Sequence, residues 1–294
     1  MNKILVLGAN GQVGKCLCED LGIKKFNFLP KSKDQLDIAD EKTLSLVINE
    51  YSPNIILNCS GYTNVDLAED EVEKANLINN TSVGLIAKVA EEIDALLIHI
   101  STDYVFDGKS KNPYIENSNT NPISIYGSTK LQGEKSIISS GCKYYIIRTS
   151  WVFSEYGKNF LKTILELAKS KEYLQVVSDQ IGCPTYARDI SLAIINLIDN
   201  YDENSSSEIL HFSGDKECSW YFFAKCILNI AKKQKLKVTE KIHPIKTINF
   251  NQKASRPMHS VLSNVKINSE FNIESSNWMN GIEKSINFLI KNYE

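Results

Sequence analysis

What this sequence lacks narrows its function first. No apolar run approaches the roughly 18 residues that a membrane-spanning helix needs, so no membrane partner is expected. There is no excess of basic residues: 33 Lys and Arg stand against 35 Asp and Glu, a formal net charge of −2. Nucleic-acid binding relies on a basic excess or a clustered basic face, so nucleic acid is not an expected partner either. The seven cysteines, at 16, 18, 59, 142, 183, 218 and 226, contain no Cys-x-x-Cys pair. Their odd number and irregular spacing exclude the disulfide framework of a small secreted domain. Only four histidines occur (His99, His211, His243 and His259), none at metal-ligand spacing from a cysteine or from one another, and no metal is expected. The N-terminus runs straight into Lys3-Ile4-Leu5-Val6-Leu7-Gly8 without an apolar leader. A cytoplasmic protein with reduced thiols is the resulting expectation.

What is present is an ordinary globular composition, 43% hydrophobic and 23% charged over 294 residues, long enough for a sizeable core. Short apolar runs alternate with amphipathic segments through the first half. Strands are expected at Ile4–Leu7, Phe26–Leu29, Ile55–Asn58, Ala95–Ile100 and Tyr144–Ile147. Helices are expected through Cys16–Leu21, over Thr43–Glu50, as one long element from Val72 to Ile93, and over Tyr126–Ser139. Near-continuous apolar strands separated by helices predict an α/β, Rossmann-type doubly wound parallel sheet. After about Trp151 the rhythm breaks. Helices at Phe160–Lys169, Arg188–Ile198 and Trp220–Lys233 are separated by irregular stretches and by a polar loop, Asp202–Ser207. A dinucleotide-binding domain over 1–170 is expected, with a late strand near 208–213 returning to its sheet. Residues 171–294 are expected to form a smaller mixed α/β substrate lobe.

Gly8-Ala9-Asn10-Gly11-Gln12-Val13-Gly14 reads G-x-x-G-x-x-G between the first strand and first helix. Glycines there let the backbone turn tightly and approach a pyrophosphate, whose charge meets the helix N-terminus. The triplet is a weak signal alone and a strong one when it opens a βαβ series. The second strand ends in Pro30-Lys31-Ser32-Lys33. Two lysines there suit the extra phosphate of NADP, or are solvated loop charges; NADPH is favoured and NADH stays open.

Tyr126-Gly127-Ser128-Thr129-Lys130 puts a phenol and an ammonium four residues apart on one helix face. Free tyrosine titrates near 10, and a neighbouring cation eases its proton exchange. Ser101 and Thr102 fall at the C-terminal end of the fourth strand, where ligands bind in open α/β sheets. A hydroxyl, a tyrosine and a lysine so placed make a carbonyl-reduction site. Tyr221-Phe222-Phe223-Ala224-Lys225 has the same spacing outside the βα series, and there Tyr221 is read as core and Lys225 as solvated. Trp151 suits either a sugar-stacking or a core position. Arg256 suits either a phosphate clamp or a solvated loop position. Asp66, Glu69, Asp70 and Glu71 read as an acidic helix start that serves dipole and solvation.

Several of these stretches occur in a characteristic order: Gly11-Gln12-Val13-Gly14, Gln35-Leu36-Asp37-Ile38, Tyr62-Thr63-Asn64-Val65-Asp66, Ser101-Thr102-Asp103-Tyr104-Val105-Phe106-Asp107-Gly108, Tyr126-Gly127-Ser128-Thr129-Lys130, Arg148-Thr149-Ser150-Trp151, Gly182-Cys183-Pro184-Thr185 and Arg256-Pro257. Together they resemble the dTDP-4-dehydrorhamnose reductase family of extended short-chain dehydrogenases, over nearly the whole chain. The resemblance implies hydride transfer from NADPH (or NADH) to the C4 ketone of dTDP-6-deoxy-L-lyxo-4-hexulose, giving dTDP-L-rhamnose. It implies Tyr126 as proton donor, Lys130 as its partner and ribose ligand, and Thr102 on the ketone. Gly8, Gly11, Gln12, Val13, Gly14, Asp37, Ile38, Gly61, Tyr62 and Thr63 then fall on cofactor positions. Thr102, Asp103, Trp151 and Arg256 fall on substrate positions. Some members pair as dimers through a metal held by acidic residues. The corresponding positions here are Cys16 and Arg188, which speaks against that linkage and leaves a homodimer open. The rival readings are another nucleotide-sugar reductase or epimerase, or a non-catalytic dinucleotide-binding regulatory subunit.

Overall fold

The computed structural model describes residues 2–202 and 205–293, so Glu203 and Asn204 of the expected polar loop lie outside the described residues. The chain runs β1 (Lys3–Leu7), α1 (Gln12–Ile23), β2 (Asn27–Lys31), α2 (Glu41–Tyr51) and β3 (Ile55–Asn58). Two short helices, α3 (Val65–Ala68) and α4 (Val72–Asn76), lead through a π-helical turn at Leu77–Thr81 into α5 (Ser82–Glu92). Next come β4 (Leu96–Thr102), a 3-10 turn at Asp103–Val105, α6 (Ile125–Ser140) and β5 (Tyr144–Thr149). The remainder holds β6 (Val152–Phe153), α7 (Phe160–Ser170), β7 (Leu174–Val177), β8 (Ile181–Gly182), β9 (Thr185–Tyr186), α8 (Ala187–Asp199) and β10 (Glu208–His211). It closes with β11 (Cys218–Ser219), α9 (Trp220–Lys233), β12 (Ile242–Ile245), α10 (Val265–Phe271) and α11 (Trp278–Tyr293).

Six strands form one sheet in the order β10-β5-β4-β3-β1-β2, and every neighbouring pair is parallel. Parallel strands need both faces covered, which is why their inner residues are mostly apolar. One face packs Ile4, Val6, Leu57 and Ile98 against Leu17 and Leu21 of α1 and Ile190 and Ile194 of α8. The other packs Leu5, Leu7, Ile56 and Leu97 against Leu44 and Ile48 of α2 and Val83, Ile86 and Ala90 of α5. The expected doubly wound fold is therefore present, with β10 returning beside β5.

The long helix expected from Val72 to Ile93 is interrupted by the π-helical turn. Asn79 lies inside that turn and is fully buried. Its Oδ1 accepts the Tyr62 N–H at 2.8 Å and its Nδ2 donates to the Tyr62 carbonyl at 3.0 Å. The extra residue in the turn aims an amide at the loop after β3, a use typical of π-bulges near functional sites.

A separate core forms from Phe153, Leu161, Ile164, Phe223, Ile227, Trp278 and Ile282, on α7, α9, α11 and the strands between them. Its two-stranded pairs β7–β12, β6–β9 and β8–β11 make it a mixed α/β unit. Because α8 and β10 pack with the large sheet, the chain passes between the two cores more than once.

Candidate active site

The glycine loop is shaped by contacts that tolerate no side chain. Gly8 has φ +76°, and a Cβ there would meet the Ser60 backbone nitrogen at 2.7 Å. A Cβ on Gly14 would stand 2.2 Å from the Gly8 carbonyl oxygen, so α1 can lie on the loop only with glycine at that position. Gly11 is the N-cap of α1 and no side chain caps that end, which leaves the first-turn amides facing outward for an anion. Gln12 is tied to the second unit: its Oε1 accepts from Ser154 Oγ at 3.0 Å and Asn159 Nδ2 at 2.9 Å. The Val13 side chain is buried in the core, so only its backbone fronts the loop. Lys31, which ends β2, is half-buried, and Lys33 beyond it is exposed. Asp37 is exposed and accepts the Ala39 N–H at 3.0 Å, while Ile38 is buried in the core. Gly61 and Thr63 are exposed, whereas Tyr62 is buried with its hydroxyl donating to Glu71 at 3.0 Å.

The catalytic candidates meet where α6 begins, at the C-terminal edge of the sheet. The Ser124 hydroxyl caps α6 by accepting the Gly127 N–H at 3.2 Å, and Glu69 accepts the Ile125 N–H at 2.9 Å. Glu69 thus fixes the start of this helix, a more specific role than solvation. A Cβ on Gly127 would lie 2.2 Å from the Tyr104 carbonyl oxygen, so glycine lets α6 press against the turn that follows β4. Tyr126 and Tyr104 meet edge to face, ring centroids 5.5 Å apart.

Burial pushes the Tyr126 phenol up to about 12, and a hydrogen bond with Thr102 partly offsets this. Thr102 Oγ1 also donates to Asp103 Oδ1 at 3.1 Å. The neighbouring hydroxyl, Ser101, points to the other side of β4 and donates to Glu134, which Arg148 holds with Nη2 at 2.7 Å. Of the two strand-end hydroxyls only Thr102 faces the tyrosine. Asp103 is buried, its Oδ2 has no hydrogen-bond partner among the described residues, and burial pushes its carboxyl up to about 7. Lys130 is 4% exposed; its Nζ donates to the Ile100 carbonyl at 2.6 Å and lies 3.1 Å from His99 Nε2. Burial lowers this ammonium to about 8.

Arg256 reaches the same edge from the second half of the chain. Its Nη2 and Nη1 hold the Asp66 carboxylate at 2.6 and 3.1 Å. Asp66 therefore orients an arginine, where the sequence suggested only dipole and solvation chemistry. Trp151, at φ +46° and 9% exposed, stacks on Trp220 with ring centroids 3.5 Å apart. Gly182 passes beneath its ring, where a Cβ would come within 2.5 Å. Cys16 is fully buried in the core. Arg188 pairs with Glu19 at 2.5 Å and Asp20 at 2.9 Å. A cavity of about 900 Å³ lined by Lys216, Phe222, Asn264 and Trp278 contains none of the sequence-predicted site residues.

Sequence reasoning missed Asn58, Asn79, His99 and the Asp66–Arg256 pair. Apart from Ser60, two residues from Asn58, their partners lie from 17 to 190 residues away, and an isolated Asn or His carries no spacing signal.

The chain matches the family model described as "RmlD substrate binding domain" over residues 1–290. It is 37% identical over 289 residues to the dTDP-4-dehydrorhamnose reductase of Aggregatibacter actinomycetemcomitans, covering 96% of this chain and 98% of that protein. The crystal structure of the dTDP-4-dehydrorhamnose reductase of Bacillus anthracis, in complex with NADP, superposes with a TM-score of 0.90 at 36% identity, covering 99% of each chain. The UDP-glucose 4-epimerase of Thermus thermophilus, at 14% identity and a TM-score of 0.81 over 97% of this chain and 98% of that one, shares the fold alone. With its full-length match and its glycine loop, threonine, tyrosine and lysine gathered at one sheet edge, this chain belongs to the RmlD substrate binding domain family.

Proposed function

We propose that this protein is an NADPH-dependent oxidoreductase that reduces the C4 ketone of dTDP-6-deoxy-L-lyxo-4-hexulose to dTDP-L-rhamnose, in the cytoplasm. The observation that carries the reading is Thr102 facing Tyr126, with a buried Lys130 one turn further along α6, at the sheet edge that also carries an uncapped, glycine-shaped helix N-terminus, in a chain over a third identical to reductases of that name. The loop fits a dinucleotide because Gly8 and Gly14 leave no room for side chains and the first-turn amides of α1 face outward. Gly8, Gly11, Gln12, Val13 and Gly14 would hold the pyrophosphate, and Asp37, Ile38, Gly61, Tyr62 and Thr63 would flank the nucleoside through side chains or backbone. Lys31 and Lys33 would favour the additional phosphate of NADPH. NADPH, when bound, supplies the hydride.

The chain's own groups handle the proton. Tyr126, whose phenol stays protonated at neutral pH, gives its proton to the oxygen that becomes the C4 hydroxyl. Lys130, as a cation, favours the phenolate left behind. Thr102 orients the ketone oxygen beside the phenol. Asp103 has an unpartnered buried oxygen suited to a sugar hydroxyl. The exposed edge of Trp151 and the Arg256 guanidinium would complete the substrate contacts.

The test follows NADPH and NADH oxidation at their absorbance, with the keto sugar supplied by coupled upstream enzymes. Substrate-dependent oxidation that yields dTDP-L-rhamnose is expected, with NADPH the better cofactor. Dinucleotide binding without net oxidation would overturn the reductase reading in favour of an epimerase or a regulatory subunit.

A further inference from the structure

Behind Lys130 lies a buried line of polar groups that the reaction described above does not use. It begins at the backbone N–H of Ser60, which donates to Asn58 Oδ1 at 3.1 Å. The Ser60 hydroxyl donates to the same oxygen at 2.5 Å. Asn58 Nδ2 faces His99 Nδ1 at 3.1 Å, and His99 Nε2 faces Lys130 Nζ at 3.1 Å. Asn58 and His99 are both fully buried on adjacent strands, in register across the sheet.

The chemistry of these groups gives the line a direction. A backbone N–H can only donate, so the Asn58 carbonyl oxygen must face Ser60 and its NH₂ must face His99. His99 Nδ1 is then an acceptor. A neutral imidazole carries one proton, so Nε2 bears it and points it at Lys130. The ring is neutral because burial, reinforced by Lys130, holds its pKa well below the ordinary histidine value. An N–H aimed at Nζ is satisfied by the lone pair of an amine and opposed by an ammonium. Reversing the line would turn the Asn58 NH₂ onto the Ser60 N–H, leaving two donors face to face in a buried site.

The other groups around Nζ do not change this direction. From β4 the Ile100 carbonyl accepts from Nζ at 2.6 Å in either protonation state. From the end of β3, the Cys59 thiol is pushed up by burial and stays neutral. From α6 itself comes Glu134, which favours the ammonium but whose carboxylate is already taken by Arg148 and Ser101.

We propose that Ser60, Asn58 and His99 form a one-way hydrogen-bond line that presents a donor to Lys130 and so sets how readily the lysine carries its proton. Asn58 and His99 are positioning residues: they act on Lys130 and not on substrate. The lysine's place in the reaction rests on the function proposed above, but the direction of the line does not. Burial by itself brings Lys130 to about 8, within reach of physiological pH, and a donor held at Nζ acts in the same direction. Binding of a diol or another acceptor at Nζ would then restore the ammonium when it is needed.

The direction can be read without substrate from long-range ¹⁵N–¹H spectra of the ring nitrogens in the ligand-free protein between pH 7 and 9. The molecule contains its own contrast. His211 is equally buried, but its Nδ1 lies 3.0 Å from the Tyr114 carbonyl, which requires the Nδ1–H tautomer. One buried histidine of each tautomer is expected, with His99 the Nε2–H form, assigned by its loss in His99→Gln. Two Nδ1–H rings would overturn the proposal, whatever the enzyme's activity. In Asn58→Asp both carboxylate oxygens accept, so the line should reverse. His99 should become Nδ1–H and the alkaline limb of turnover should rise by about one pH unit or more, a tenfold change in proton concentration. A reversed tautomer with an unmoved limb would also overturn it. A wild-type Nε2–H tautomer in a protein that oxidises neither NADPH nor NADH would fault the reductase reading and leave the line standing.

Discussion

Two helices of this molecule carry a tyrosine and a lysine at the same spacing, in very different surroundings. In α6, Tyr126 lies against Tyr104 and Thr102, and Lys130 is buried between the Ile100 carbonyl and His99. In α9, Tyr221 is half-buried at the margin of the second core, short of the full burial its sequence suggests. Lys225 is exposed, its ammonium 5.7 Å from the centre of the Tyr221 ring. The helical spacing puts a tyrosine and a lysine on one helix face in both places. What differs is the surroundings: α6 abuts the carboxyl edge of a parallel sheet, where strand ends present hydroxyls and carbonyls, while α9 covers an apolar core. Proximity of two groups becomes chemistry when burial changes their proton affinities and a substrate surface lies beside them.

The contrast can be broken most sharply by removing each phenol. Tyr126→Phe is expected to lower kcat by about a hundredfold or more, with cofactor affinity nearly unchanged. Tyr221→Phe should leave turnover within about twofold, as a surface change away from the site. Steady-state kinetics with a fluorescence titration of NADPH checks both, and similar losses in the two variants would erase the distinction. The lysines form the next pair. Lys130→Ala should weaken both turnover and NADPH affinity by roughly tenfold or more, about 1.4 kcal/mol each. Lys225→Ala should change neither.

A third comparison concerns the residue after each tyrosine. Gly127→Ala places a methyl group against the Tyr104 carbonyl and should destabilise the fold by about 1–3 kcal/mol. Phe222, its counterpart in α9, is 50% exposed, so Phe222→Leu should stay within about 0.5 kcal/mol. Urea unfolding measures both. The fourth prediction is a pH dependence. Burial lowers Lys130 to about 8 from an ordinary lysine value of 10.5, so the ammonium is present below about pH 8 and lost above it. Turnover should therefore decline as pH rises through that value, and a profile flat to pH 10 would show that Tyr126 does not depend on the lysine's charge. The smallest effect is expected from Asp66→Asn, which loosens Arg256. A rise of a few-fold in KM for the nucleotide sugar, with kcat within about twofold, is the expected outcome.

Much of the fold was legible because its signals are local. The apolar runs of β1, β3, β4 and β5 and the helical periods between them identify a parallel sheet without any long-range information. The glycine loop was legible for the same reason, since a tight turn into a helix states its needs in neighbouring residues. The strand at Glu208–His211 was expected to return to the sheet, but no local signal named β5 as its partner. Other features had no local signal. Ser101 and Thr102 are adjacent and chemically alike, and which of them faces Tyr126 depends on which side of β4 is covered by Glu134 and Arg148. The π-helical turn interrupts a segment whose period reads as one helix, because a buried Asn79 must reach the loop at Tyr62. Trp151 suited either a sugar or a core position, and the ring of Trp220, 69 residues later, stacks on it.

The sequence by itself determined a doubly wound α/β protein with a glycine loop between its first strand and first helix and a tyrosine–lysine pair on one helix face. It could do so because hydrophobic period, glycine placement and helical spacing are properties of short segments. Only the tertiary structure decided which hydroxyl meets the tyrosine, what holds Arg256, and how a line from Ser60 through Asn58 and His99 ends on Lys130. Those depend on groups that share no segment and meet only when sheet and helices close, where burial makes every unpaired donor and acceptor costly and so fixes their direction.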